Sequence, residues 1–307
     1  MPDKMGPENK GASEEKDSRY IQTKSDRIEQ VSNQSEEEEA VHEAAHLSAK
    51  LVYQVVRREG EEELRRPWTS LFWSGIVAGF CISFSVIGEA LFKTYLPASK
   101  WLPLLESLGY TFGYVIVIVG RMQLFTENTL TTVLPLLARP DVDNFWRVAR
   151  LWGIVLGANV IGCFIAAAFI AFMPTFEPEI LASITELSKH ATENGAWVSF
   201  AKAVPAGLLL AALVWMLAAG EDDNFFVIIL MTWLIAAGGF AHISAGSVEM
   251  AFLMLTGQLS LAPGIFNFFI PVLLGNVFGG TAVFTLITWG QVREEVNNSS
   301  DSSNGPA

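Results

Sequence analysis

Cysteine is almost missing from this chain: Cys81 and Cys163 are the only two in 307 residues, each inside an apolar run. Thiols so placed exclude a disulfide framework and make a metal site unexpected. They read as inert buried groups. Histidine is nearly as scarce, with four. Lys and Arg number 20 against 32 acidic residues and form no basic stripe, so no nucleic-acid partner is expected. An apolar leader is also lacking. Met1 to Ser35 shows no apolar core and no cleavage pattern, so membrane insertion is expected to use the first apolar span itself. Charge is thin in the middle of the chain: residues 67–290 hold 13 acidic and 8 basic residues, whereas residues 1–66 hold 16 and 11.

Three parts follow from that contrast. Residues 1–66 are expected to be a polar, acidic cytoplasmic tail. Residues 67–290 are expected to be an integral membrane domain, and the Ser/Asn/Asp-rich residues 291–307 a disordered cytoplasmic tail. The net charge of −12 sits mostly in tails and loops and points to no particular partner. Within the first tail, Val41, Ala44, Ala45, Val52, Val55 and Val56 approximate a helical stripe. It predicts an amphipathic helix at about 36–58, lying on a surface, packing against a subunit or standing as a solvated stalk.

Six membrane spans are expected: Trp68–Phe92, Leu104–Leu137, Phe145–Met173, Phe200–Ala219, Phe225–Leu255 and Phe266–Trp289. A plain span needs ~20 apolar residues. The second and fifth are longer than that and polar at their centres, so both are expected to be broken. Plain, broken, plain then occurs twice, the pattern of two inverted three-helix repeats with a binding site near the midplane. Every loop arginine (Arg57, Arg58, Arg65, Arg66, Arg139, Arg147, Arg150, Arg293) falls on one face, and Lys93, Lys100 and Lys189 fall on the other. The arginine face is expected to be cytoplasmic, with both termini inside.

The polar residues at the breaks are the candidates for function. Gly238-Gly-Phe-Ala-His-Ile-Ser-Ala-Gly246 sets His242 among glycines and hydroxyls within an apolar stretch. An ionisable group at membrane depth signals a functional site, and irregular backbone there must line a cavity or be buried in protein. The other break is Gly120-Arg-Met-Gln-Leu-Phe-Thr-Glu-Asn-Thr-Leu-Thr-Thr132. Arg121 facing lipid would cost ~2.5–3.5 kcal/mol, so a loop folded back into the protein is expected. Arg121 would there pair with Glu127, Glu249 or Glu89, or attract substrate. Thr126, Asn128 and Thr129 are expected to cap the following half-helix, whose N-terminus suits a small anion. Glu249 and Glu127 are candidates for a proton relay or an ion pair. His42-Glu-Ala-Ala-His46 matches the H-E-x-x-H zinc pattern. It has no evident third ligand, so no metal, no cofactor and no enzyme activity are expected.

Four stretches carry a resemblance. Leu124-Phe-Thr-Glu-Asn-Thr-Leu-Thr-Thr132 resembles the loop that interrupts the second helix in the formate/nitrite transporter family, and Gly238-Gly-Phe-Ala-His242 resembles its interrupted fifth helix. Phe145 to Gly162 is similar to its third helix and Pro271 to Gly280 to its sixth. The resemblance implies an aquaporin-like protomer, a homopentamer in the plasma (inner) membrane, and passage of small monovalent anions such as formate, nitrite or hydrosulfide. A weak acid can take a proton and cross neutral, the proton coming either from His242 itself or from bulk water with His242 as a polar waypoint. It makes His242 that histidine and Thr126 the threonine facing it. It makes Leu124 and Phe125 constrictions, with Leu210 and Ile235 further constriction positions and Tyr110 and Tyr114 at pore-lining sites. Ala241 stands where the family often has glutamate, and Gly207 where it usually has asparagine. Two other readings remain open: a facilitator of small neutral solutes such as water, and a non-conducting membrane scaffold.

Overall fold

A computed structural model describes residues 48–220 and 224–293. The His42–His46 motif, residues 36–47 of the expected amphipathic helix and residues 294–307 lie outside the described residues. Among the described residues the secondary structure is entirely helical. In chain order the elements are α1 (Ala49–Glu63), α2 (Trp68–Tyr95), α3 (Leu102–Val119), α4 (Asn128–Ala138), α5 (Val142–Phe172), α6 (Pro178–Thr192), α7 (Ala196–Ala218), α8 (Asn224–Ala237), α9 (Ile243–Leu255) and α10 (Leu261–Arg293). The helices α2, α3, α5, α7 and α10 are long and apolar enough to cross a membrane, whereas α4, α8 and α9 are shorter apolar pieces. Local signals set several ends: Ser48 Oγ accepts from Leu51 N, Asp141 accepts from Asn144 N, and Pro103 and Pro178 occupy first turns.

The two breaks fall at 120–127 and 238–242, inside the two expected broken spans. The halves repeat one another in their packing. The main partner of α2 is α5, as the main partner of α7 is α10. Gly79 lies so close to the Asn159 carbonyl that no Cβ would fit, and Gly207 lies the same way against the Asn276 carbonyl. Aromatic rings remain exposed near helix ends, with Trp197 at 76% and Trp101 at 70%. In a chain this apolar they form the interfacial belt of a membrane protein.

Two elements differ from expectation. Among the described residues the expected amphipathic helix is seen as α1, and its buried stripe of Val52, Tyr53, Val56 and Gly60 packs on Leu130 and Leu134 of α4 and on Val292. It is therefore docked on its own chain instead of standing as a stalk. The helix α6, between the third and fourth spans, was not foreseen. Its buried positions Ile180, Ile184 and Ser188 follow the four-residue helical repeat, and it lies over α9 and α2.

Candidate functional site

Each break is clamped by one buried asparagine. From α5, Asn159 Oδ1 accepts from Phe125 N (2.9 Å) while Nδ2 donates to the carbonyls of Gly75 and Gln123 (2.8 Å each). From α10, Asn276 Oδ1 accepts from Ile243 N (2.8 Å) while Nδ2 donates to the carbonyls of Ala203 (2.8 Å) and Ala241 (3.0 Å). Gly75 and Ala203, Gln123 and Ala241, Phe125 and Ile243 thus hold equivalent places in the two halves. These bonds answer the backbone groups that a broken helix leaves open at membrane depth.

The clamps bring the breaks together at one contact. His242 Nε2 lies 2.9 Å from Thr126 Oγ1, and both residues are buried. His242 caps α9, where Nδ1 accepts the Ser244 N–H at 3.3 Å. A nitrogen that accepts a backbone N–H carries no proton, so the ring is neutral with its hydrogen on Nε2, donated to Thr126. The Thr126 hydroxyl keeps its own hydrogen to donate. Tyr114 packs edge-on to the imidazole at 5.2 Å between centroids, and its hydroxyl lies 3.0 Å from that of Tyr110. Tyr110, Tyr114, Leu124, Leu210 and Ile235 belong to one buried apolar cluster.

Several expected residues lie elsewhere. Arg121 is exposed and has φ 50°. Among the described residues it makes no ion pair with Glu127, Glu249 or Glu89. It faces the α1 side: partial burial pushes the Glu59 carboxyl of α1 above its ordinary range, the Arg121 guanidinium pulls it down, and Glu62 and Glu63 push it up. Arg121 is thus no part of the His242 site, because the left-handed turn that ends α3 throws its side chain outward.

Asn128 points away from the site as well. Its Nδ2 donates to the Leu124 carbonyl and to Gln123 Oε1. The Gln123 amide donates in turn to Glu63 Oε2 of α1 (3.0 Å), and that carboxylate pairs with Arg66. Phe125 belongs to a second cluster with Val155, Ile243 and Phe268, its ring edge-on to Trp152.

The expected side-chain caps are absent. Thr129 Oγ1 donates to the Thr126 carbonyl, and the first N–H groups of the half-helix bond to carbonyls three residues back: Glu127 to Leu124, Asn128 to Phe125, Thr129 to Thr126. Those N–H groups are taken by the turn and do not form an anion cradle. Glu127 stands in the first break with Oε1 buried and unpartnered, and Glu249 lines a cavity together with His242.

On the α6 side of His242 is a cavity of about 110 Å³. One water needs ~10–15 Å³ of such space, so this volume takes a small anion with a few waters. Glu89, Tyr110, His190, Lys202, His242 and Glu249 supply its polar wall. Lys202 and Lys189 are the two candidates for the outer lysine that the family resemblance implies, and Lys202 is the one that lines this cavity. Glu89 and His190 were not singled out as pathway residues from the sequence, nor were Asn159 and Asn276 as clamps. One signal for the clamps was present: Asn159-Val-Ile-Gly162 and Asn276-Val-Phe-Gly279 share a pattern. Among the described residues no group of His, Cys, Asp and Glu side chains could hold a metal ion.

Known proteins resemble this chain in sequence and in fold. Residues 50–290 match the formate/nitrite transporter family model. The chain is 41% identical over 250 residues to the inner membrane protein YfdC of Escherichia coli (strain K12), covering 81% of each chain. It is 26% identical over 246 residues to the formate channel FocA of Haemophilus influenzae, covering 70% of this chain and 84% of that one. Among solved structures it resembles a pentameric formate channel with formate bound, with TM-score 0.63 and 23% identity over 72% of this chain and 96% of that one. An ion channel of the same family gives TM-score 0.64 and 19% identity over 79% and 96%. At these identities the structural likenesses speak for the fold. The family model spans both breaks and both asparagine clamps, and the chain belongs to the formate/nitrite transporter family.

Proposed function

We propose that this chain forms a membrane pathway for small monovalent anions of weak acids, formate or nitrite in kind, which cross together with a proton. One observation carries the reading: the buried His242–Thr126 pair joins the two breaks and borders an apolar cluster on one side and a polar cavity on the other. The neutral imidazole and the threonine hydroxyl offer donors to a single small solute. The apolar side chains around Leu124, Leu210, Ile235 and Tyr114 strip water from it. A bare anion is costly there, whereas the neutral acid is not.

In this reading each pair of half-helices, α3 with α4 and α8 with α9, completes one crossing, giving six crossings in two inverted repeats. Both termini then lie on the arginine face, inside the cell, and the protein is a multi-pass inner-membrane pentamer with one pathway per protomer. Residues 1–66, 67–290 and 291–307 remain the proposed tail, membrane domain and second tail, with Ala49–Glu63 docked on the membrane domain. The test is flux into vesicles carrying the purified protein. Formate or nitrite should enter faster than into empty vesicles, and faster still with an inward proton gradient. No small anion passing above the empty-vesicle rate would sink the reading.

A second reading, passage of neutral solutes, draws on the carboxyl groups Glu89 and Glu249 at the cavity. Osmotic shrinkage of the same vesicles without anion flux would favour it.

A further inference from the structure

We propose that Glu249 and Glu89 form a proton-holding pair on the α6 side of His242, and that Glu249 hands its proton to the anion in the cavity before the anion passes the histidine. The inference rests on the anion pathway proposed above and names its proton donor.

Glu249 is 8% exposed and lines the cavity. It follows His242 by seven residues on α9, two turns later on the same face and ~10 Å along the axis. Glu89 reaches the cavity from α2. Neither carboxyl has a hydrogen bond or an ion pair among the described residues. Two bare carboxylates in so small a space would repel each other and any entering anion. A proton on either one removes the first repulsion and lessens the second.

The histidine is poorly placed to be the donor. Its Nδ1 is held by the Ser244 N–H and its Nε2 hydrogen by Thr126. A second proton on Nδ1 would set two N–H groups against each other and uncap α9.

The charged and titratable groups around Glu249 fit this assignment. From α2 come Glu89 and Lys93, but Lys93 is bound to Glu186 of α6 at 3.1 Å. From α3 come Glu106, Tyr110 and Tyr114. α6 carries Glu186, Lys189 and His190, with Glu193 just past its end, and of these His190 lines the cavity; from α7 comes Lys202, which lines the cavity and attracts the anion. From α5 comes Cys163, whose thiol donates to the Ser244 carbonyl. The only charged residue of α10, Arg293, is at its far end. In the step itself, the Glu249 O–H bond breaks and its electron pair stays on the carboxylate. The proton forms an O–H bond on the anion, and the neutral acid moves past His242. Glu249 then regains a proton from water on the α6 side, by way of Glu89. One anion and one proton cross together.

The test uses full-length protein in vesicles, with formate as probe and flux read across pH, alongside infrared difference spectra of the same samples. At acid pH bulk water supplies the neutral acid, so Glu249→Gln should lose least of its formate flux there. At alkaline pH it should fall by ~tenfold or more, and Glu249→Asp should restore part of that loss. Glu89→Gln should flatten the same profile. The infrared band of a protonated carboxyl should be weaker in Glu249→Gln than in wild type. A Glu249→Gln protein that melts as wild type does and keeps the wild-type pH profile overturns the proposal while leaving the anion pathway standing. A wild-type protein that passes no anion overturns the pathway and the hand-over step with it. If Glu249→Gln does not fold, an unchanged pH profile in Glu89→Gln overturns the proposal.

Discussion

An imidazole held at both nitrogens acts as one fixed donor. His242 gives its Nε2 hydrogen to Thr126 and leaves the threonine hydroxyl to face the solute. Thr126→Val keeps the shape and removes that hydroxyl. It should slow formate flux by about 3- to 10-fold, the worth of one net hydrogen bond, and lower stability by ~1–3 kcal/mol because the His242 Nε2 hydrogen loses its acceptor. The asparagine clamps have a different role. Asn276→Leu would strand the Ile243 N–H and the carbonyls of Ala203 and Ala241. At ~1–3 kcal/mol for each stranded buried group, it should lower stability by roughly 3 kcal/mol or more, seen as early melting in detergent. Arg121 is the reverse case. Its φ of 50° matches Gly239 at φ 60° in the other half. A non-glycine residue in that region costs ~1–2 kcal/mol, and glycine gives back part of this as unfolded-chain entropy. Arg121→Gly should therefore stabilise the fold by ~0.5–1 kcal/mol and leave flux unchanged.

The same residues show how far an element can be read before it is seen folded. Both breaks were legible, because polar and glycine residues inside apolar runs allow little else at membrane depth. Their internal bonding was not. Thr129 and Asn128 looked like caps by type, but Thr129 bonds the Thr126 carbonyl and Asn128 bonds the Leu124 carbonyl and Gln123. The asparagines that hold the breaks come from α5 and α10, far along the chain. The helix α6 escaped notice because its apolar stripe is short and set among charges. The helix α1 was legible as amphipathic, but its partner was not. Gly60 packs so closely on the Thr131 carbonyl of α4 that no Cβ fits. Gly60→Leu should undock α1, which would appear as faster tryptic cleavage after Arg57 and Arg58 in the native protein.

Across the whole molecule, the exposed apolar side chains form a surface that water does not tolerate. Phe226 is 66% exposed and Trp73 also 66%, on helices long or apolar enough for a bilayer. Lipid and neighbouring copies are the expected cover. Native mass spectrometry of the detergent-solubilised protein should give a pentamer, and a monomer as the sole species would contradict the proposed assembly. The positions of the two breaks, the membrane class and the placing of His242 within an apolar stretch were legible in the sequence alone, since each follows from local hydropathy and from the cost of burying polar groups in hydrocarbon. Only the tertiary structure decided which groups meet. It set Thr126 against His242 across the two halves, turned Arg121 out to the surface, and brought Glu89 from α2 to the same cavity as Glu249. Those contacts depend on helix packing between distant segments, which leaves no periodic trace in a single sequence.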